Sequence, residues 1–298
     1  MIVNGTPDAG SPPEISVIIP HFSDLSGLNR CLTALCGQLD DVRAEIVVSD
    51  NASPQGQAAV AEVIAGRARL VMNPVKGAGP TRNVAVAAAR AAFLAFTDAD
   101  CLPEPGWLAA GRAALEKHDL VGGRVRVLSN TQGPMTGAEA FEHVFAFDNR
   151  RYVEREGFSV TANLFCRRSV YDRVGPFHNN VPEDLEWCHR ARDLGYAIGY
   201  ADDAVVGHPA RRDWQELSVK WKRLNAESFG YSSATRGGRA RWLMRSWLLP
   251  ASIIAHAPRI WRSPALRNGR ERRAALATLI RLRMWRWADA HKLVFAKR

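Results

Sequence analysis

The first hundred residues alternate between two patterns. Ile15–Pro20, Ala44–Ser49, Leu70–Met72 and Ala92–Thr97 are short and apolar almost without interruption, which is how a strand reads when both its faces are covered. Between them, apolar residues recur three and four apart: Leu28, Leu32, Leu35 and Leu39 within 25–39, then Gln55 to Ala65 and the alanine-rich Thr81 to Ala92. That spacing collects apolar side chains on one side of a helix. Strand and helix in alternation predict an α/β fold, a largely parallel sheet with helices on both faces. Each predicted strand runs into polar or special residues: Pro20-His21, Asp50-Asn51, Asn73-Pro74 and Asp98-Ala99-Asp100. Ligands of open parallel sheets bind at the carboxyl ends of the strands, so these four ends mark the expected site.

From about 119 to 208 the pattern is mixed. It predicts strands at Leu120–Leu128 and Ser159–Cys166, helices at Gly137–Arg150 and Glu183–Leu194, and two short strands, Ala197–Tyr200 and Ala204–Val206, ahead of His208. Beyond about 212 it is helical: Trp214–Phe229, a Gly/Arg linker over 236–239, then Trp242–Ala257 and Arg270–Val294. The chain is therefore expected to divide into a flexible N-terminal segment (1–13), an α/β domain (14–210) and a helical C-terminal region (211–298).

Charge changes the picture of the last region. The chain of 298 residues carries a formal net charge of +10, but residues 206–298 carry +16 and residues 1–205 carry −6. Seven of the nine tryptophans also lie beyond 211. A basic region seeks lipid headgroups, nucleic acid or another acidic polymer, and Trp with Arg is typical of a membrane interface. A hydrophobic share of 47% excludes a disordered chain. Five cysteines without a CxxC pair predict reduced thiols of a cytoplasmic protein, not a disulfide frame or a zinc ribbon. No signal peptide is expected, since Met1 to Glu14 lacks a basic start and an apolar stretch. No run reaches the roughly 18 apolar residues of a spanning helix.

The residues with chemistry sit at the strand ends. Asp98 and Asp100 form a carboxylate pair that suits a divalent cation holding a diphosphate; the same residues also fit a solvated turn. Asp50 can accept hydrogen bonds from a nucleobase or ribose, or make an Asx-turn. Lys76-Gly77-Ala78-Gly79-Pro80-Thr81-Arg82-Asn83 lets backbone approach a ligand at a helix start and adds two cations; its glycine spacing and its place after the third strand match a dinucleotide fingerprint poorly. Glu183-Asp184 opens a helix after Pro182. There the pair can serve as ordinary helix-start acids or as a general base whose pKa is raised by its neighbour. His208 can be a metal ligand or a loop histidine.

Taken in order, strand-Pro20, Asp50-Asn51-Ala52-Ser53, Arg82-Asn83, Asp98-Ala99-Asp100, Asn163 to Arg167, Gly175-Pro176-Phe177, Glu183-Asp184 to Arg190 and His208 resemble the inverting nucleotide-sugar glycosyltransferases of family 2, with their GT-A fold. The resemblance covers about 14–208. It implies that Asp50 contacts the nucleotide base, expected to be uracil. Asp98 would hold ribose or sugar, Asp100 would bind Mg²⁺ or Mn²⁺, and His208 would add a metal or diphosphate contact. Pro20, Lys76, Arg82 and Asn83 would flank the donor, Asn163 and Arg167 would line the sugar pocket, and Asp184, beside Glu183, would be the base. Cys101 stands where a third acid is frequent, and His178-Asn179 where Asp-Glu is usual. The processive QxxRW signature is absent, which favours single additions. The implied partners are a nucleoside diphosphate sugar and a hydroxyl acceptor, in envelope or exopolysaccharide synthesis. The basic tail lies outside the shared core; its tryptophans and arginines point to the inner membrane leaflet and a lipid-linked or envelope glycan acceptor, or else form a solvated helical cap over the sheet. A nucleic-acid-binding protein using the tail, or a noncatalytic sugar-nucleotide-binding subunit, are the competing readings. The first leaves the acidic strand ends unexplained, and intact Asp98, Asp100 and Asp184 speak against the second.

Overall fold

The structure is a computed structural model that describes residues 12–39, 42–129 and 133–295. Nearly all of the N-terminal segment expected to be flexible lies outside the described residues. The chain divides into two compact units. The first holds the α/β part and includes Phe147–Asn179 and Glu183–His208; the second holds Val127–Ala146, Asn180–Pro182 and Pro209–Arg298.

In the first unit, β1 (Ile15–His21), β2 (Ala44–Asp50), β3 (Arg69–Met72) and β4 (Phe93–Phe96) follow the predicted strands closely. They pair in parallel, with Ile15 opposite both Ala44 and Phe93. Helices α1 (Leu25–Cys36), α2 (Gly56–Ile64) and α3 (Ala78–Ala88) connect them. Side chains alternate as a pleat requires. Ile15, Val17, Ile19, Ile46 and Val48 pack against α1 and α2 in one core. Ile18, Val47, Leu94 and Phe96 face a second core with Ala85 and Val86 of α3. Both faces are dry, which is why these strands read as unbroken apolar runs.

The rest of the sheet departs from the simple parallel expectation. β5 (Leu102–Pro103), α4 (Trp107–Ala114), β6 (Leu120–Leu128), α5 (Gly137–Phe145), α6 (Asn149–Arg151), β7 (Leu164–Arg167), α7 (Arg168–Val174), α8 (Glu183–Asp193) and β8 (Ile198–Pro209) follow in the chain. The sheet order is β3-β2-β1-β4-β7-β6-β8-β5. β7 runs antiparallel to both β4 and β6, and β5 antiparallel to β8, so the sheet is mixed. This is the architecture of the expected GT-A fold.

Local differences have local causes. The helix predicted over 137–150 breaks after Phe145, where Ala146 turns extended and Phe147 takes a positive φ of 54°. The strand predicted from Ser159 begins only at Leu164, because Thr161–Asn163 coil into a tight turn. The two short strands near the end are one strand, β8; the exposed Asp202 and Asp203 in its middle hide its continuity in the sequence. α3 starts at Ala78, not Thr81: Gly79 and Pro80 are accepted because first-turn amides need no helical partner.

In the second unit, α5 and the helices α9 (Trp214–Ser233), α10 (Gly238–Ser246), α11 (Leu248–Arg262) and α12 (Gly269–Phe295) share a core built on Phe141, Leu217, Ile260, Leu279 and Leu282. Glu142 is buried and accepts a 2.5 Å bond from Lys220 Nζ and one from the Arg211 amide. The helix predicted over 242–257 is two helices that meet at Trp247.

Candidate active site

The loop after β4 is tied into the sheet at both sides of the acid pair. The Thr97 amide donates to Ile18 O, continuing the β1–β4 ladder, and the Cys101 amide closes a turn onto Asp98 O. This turn sets Asp98 and Asp100, each about a third exposed, at the carboxyl end of the parallel strands. β8 brings His208 to the same place, with its Nε2 3.9 Å from an Asp100 oxygen. Carboxylates of Asp98 and Asp100, the Cys101 sulfur and a His208 ring nitrogen all lie within 4.8 Å of one another. The donor chemistry fits a divalent cation such as Mg²⁺ or Mn²⁺ through two carboxylates and one imidazole. Cys101 fits less well. Burial first, then Asp100 and Asp98, push its thiol well above the ordinary range, so it stays protonated and is a weak ligand for a hard cation.

Arg82 organises the acids. It rises from the first turns of α3, is 3% exposed, and bridges two elements: one arm donates to Asp98 Oδ1 at 2.6 Å, the other to Glu183 Oε1 at 3.0 Å. A buried guanidinium demands such partners. The bridge holds the start of α8 to the acid turn, although Arg82 and Glu183 are 101 residues apart. Arg82 Nε is buried without a partner. Asp184 follows Glu183, accepts from the Leu185 amide at 2.8 Å, and has its pKa pushed up to about 6 by burial and by the Glu183 charge, against the opposing pull of Arg82.

The remaining expected residues fall into two groups. Lys76 is exposed on the Gly-rich loop, with its carbonyl accepting from Asn179 Nδ2, and Pro20 lies near the mouth end of β1, opposite Ser49. Gly77 takes a φ of 136°, open only to glycine at low cost, and its amide donates to Asn51 Oδ1 at 3.0 Å.

The others are structural in their contacts. Asn83 spans the Tyr171 hydroxyl and both the amide and carbonyl of Phe177, so it clamps the Gly175-Pro176-Phe177 segment. Asn163 is fully buried; it accepts from Trp107 Nε1 and donates to the Arg124 and Ala204 carbonyls. Asp50 is fully buried too, accepting from His21 Nδ1 at 2.7 Å, from the Ser53 amide and from Ser53 Oγ. These three bonds leave one Oδ2 lone pair of Asp50 for a base contact. Arg167 is the clear correction. It pairs in register with Phe93 at the opposite end of β4 from Asp98 and donates to Leu115 O. β7 runs antiparallel to β4, so its last residue lies at the far edge of the sheet and does not line a pocket at the mouth.

Two neighbours of the site escaped the sequence reading. His21 ends β1 and is the buried partner of Asp50, with its Nε2 buried and unpartnered; its place at a strand end was visible, its pairing was not. Phe147 packs its ring on His208 at a 4.5 Å centroid distance from a left-handed backbone. Nothing local marks a phenylalanine for that position.

The comparisons with known proteins agree with this architecture. Residues 16–175 match the family described as Glycosyl transferase family 2. The chain is 32% identical over 208 residues to Glycosyltransferase AglE of Haloferax volcanii, covering 67% of this chain and 68% of that protein. It is 28% identical over 219 residues to the Pre-mycofactocin glycosyltransferase of Mycobacterium tuberculosis, covering 70% of this chain but only 46% of that protein. Among solved structures, the mannosyltransferase PcManGT from Pyrobaculum calidifontis, in complex with GDP-Man and Mn²⁺, superposes with a TM-score of 0.63 at 20% identity, over 98% of this chain and 90% of that one. S. aureus TarS 1-349 in complex with UDP-GlcNAc gives 0.52 at 17% identity, over 94% and 89%. These two likenesses carry the fold, and the family match and the sequence relatives carry the activity class: the chain belongs to glycosyl transferase family 2 and is a glycosyltransferase.

Proposed function

We propose that the protein moves a sugar from a nucleoside diphosphate sugar to a hydroxyl of an envelope or lipid-linked glycan, with inversion at the anomeric carbon. The observation that carries this reading is the Arg82 bridge, which joins the acid turn at Asp98 to the Glu183-Asp184 pair at one strand-end mouth. The ligands of PcManGT and TarS, GDP-Man and UDP-GlcNAc, support the donor class; a uridine donor is the first to test.

Asp98, Asp100 and His208 would hold Mg²⁺ or Mn²⁺, whose charge offsets that of the diphosphate leaving group. Lys76 and the Gly77–Gly79 backbone flank the phosphates, where glycine permits close approach. Asp184 takes the proton of the acceptor hydroxyl as it attacks. Glu183, paired with Arg82, sets its charge beside Asp184 and so helps to hold the Asp184 pKa up. One base and no enzyme nucleophile give a single displacement, hence inversion. The basic, tryptophan-rich second unit supports an acceptor at an anionic envelope surface.

A thermal-shift series with UDP and GDP, with and without Mn²⁺, tests the reading in the wild type and in Asp100→Ala. A shift is expected only with nucleotide and metal together, and only in the wild type. An Asp100→Ala protein that shifts like the wild type removes the metal assignment. No shift with either nucleotide removes the donor class.

A further inference from the structure

In the second unit, the chain from 228 to 270 contains eight arginines and no Asp or Glu. Within it, the surface of α10 and α11 is inverted relative to a helix in water. The outward strip is apolar: Met244 is 65% exposed, Trp247 59%, Leu248 65% and Ile254 82%. Ala251 and Ala255 continue the strip outward. Within α11, Leu248, Ala251 and Ala255 recur at helical spacing with Ile254 beside them, so these exposures share one side of that helix; Met244 at the end of α10 and Trp247 at the junction lie just ahead of them. The inward side holds the buried Ser246 and Ile260. Arg241 and Arg245 stand exposed at one end of the strip, Arg259 and Arg262 at the other. Trp247 is braced by one edge against Trp287 and His291, with centroids 5.0 and 5.4 Å away, while the rest of the ring stays open.

We infer that this face docks on an anionic lipid bilayer, with Trp247, Leu248 and Ile254 entering the headgroup–acyl boundary and the arginines pairing with lipid phosphates. A bilayer satisfies both components at one depth, apolar contact in the middle and negative charge around it. A nucleic acid satisfies only the charge and leaves Leu248 and Ile254 in water. A second copy of the chain brings arginines against arginines in an isologous contact. No helix of the described residues is long and apolar enough to cross a membrane, so the attachment is to the surface. The inference deepens the proposed acceptor class and is independent of the donor site.

Flotation of the full chain with vesicles decides it. The wild type is expected to float with vesicles of phosphatidylglycerol in phosphatidylcholine, not with phosphatidylcholine alone, and to be released as salt rises past the point where the Debye length falls below about 8 Å. Replacing Arg241, Arg245, Arg259 and Arg262 by Gln should weaken binding about fivefold per arginine. The double variant Leu248→Glu, Ile254→Glu should not float. All six positions are exposed, and an unchanged melting temperature confirms that each variant is folded. Absence of wild-type flotation, or variants that float like the wild type, overturns the inference. So does retention on a DNA or RNA oligomer that survives Leu248→Glu, Ile254→Glu, or a concentration-dependent dimer that this double variant abolishes. The UDP-with-Mn²⁺ thermal shift of the same proteins reads the donor site separately and stays at wild-type size whichever way flotation falls.

Discussion

The proposed role of Asp184 as the base rests on where its backbone puts it. Burial and the adjacent Glu183 charge raise its pKa to about 6, close to the working pH, where a general base is most effective. A base acts deprotonated, so turnover should climb with pH through about 6 and level off above it. Asp184→Asn should bind donor as the wild type does, lose about 10²–10⁴-fold in kcat, the usual worth of a general base, and lose that acid limb. A variant that retains the limb would assign it to another group. Arg82 has the complementary position: one guanidinium answers acids from two elements, and its burial makes the pairing obligatory.

At the level of elements, close approach and buried charge decide stability. Gly111 on α4 lies against the ring of Phe165 on β7, and a Cβ added there would fall inside the ring's van der Waals envelope. Phe165 is fully buried beside Trp107 and cannot swing away. Gly111→Ala should cost about 1–3 kcal/mol of overpacking, read as a lower denaturant midpoint with donor binding intact below it. An unchanged midpoint would mean that α4 can lift from the sheet. Glu45 on β2 accepts from Ser16 Oγ, from the Arg90 amide and from the Arg69 and Arg90 side chains. Burial raises its pKa, but these partners together outweigh burial and hold it below the ordinary 4.5. A lowered folded-state pKa stabilises the protein above the ordinary value, and this stabilisation fades as pH falls through the folded one. Glu45→Gln should therefore melt lower than the wild type at pH 7, and the gap should close in acid; a constant gap would mean that the contribution is not ionic.

Across the whole molecule, the cysteines report how the interior is distributed. Cys31, Cys101, Cys166 and Cys188 are buried in the two cores of the α/β unit and only Cys36 is partly open. Burial pushes all their thiols upward, and the thiolate is the reactive form. A disulfide reagent at mild alkaline pH should therefore take up about one equivalent on the native chain and all five after unfolding. A fast second equivalent would place one of the four at the surface. The second unit differs in kind: its core is helical, and its arginines are partly spent on aromatic faces, with Arg286 and Arg281 each 4.0 Å from the ring centroids of Trp221 and Trp214.

The α/β class, the four parallel strands, the carboxyl ends that carry Asp50, Asp98 and Asp100, and the basic helical end were all legible in the residues, because burial on two faces and helical spacing are local patterns. Three things were not. The antiparallel insertion of β7 sent Arg167 to the far edge, since strand direction depends on pairing partners distant in the chain. The inward partners of Asp50 and Asn163 were hidden too, since a side chain's hydrogen-bond partners are chosen by packing. The Arg82 bridge between Asp98 and Glu183 exists only because a buried cation draws acids from elements a hundred residues apart. Residue type announced where charge would gather; the tertiary structure alone decided which charges meet.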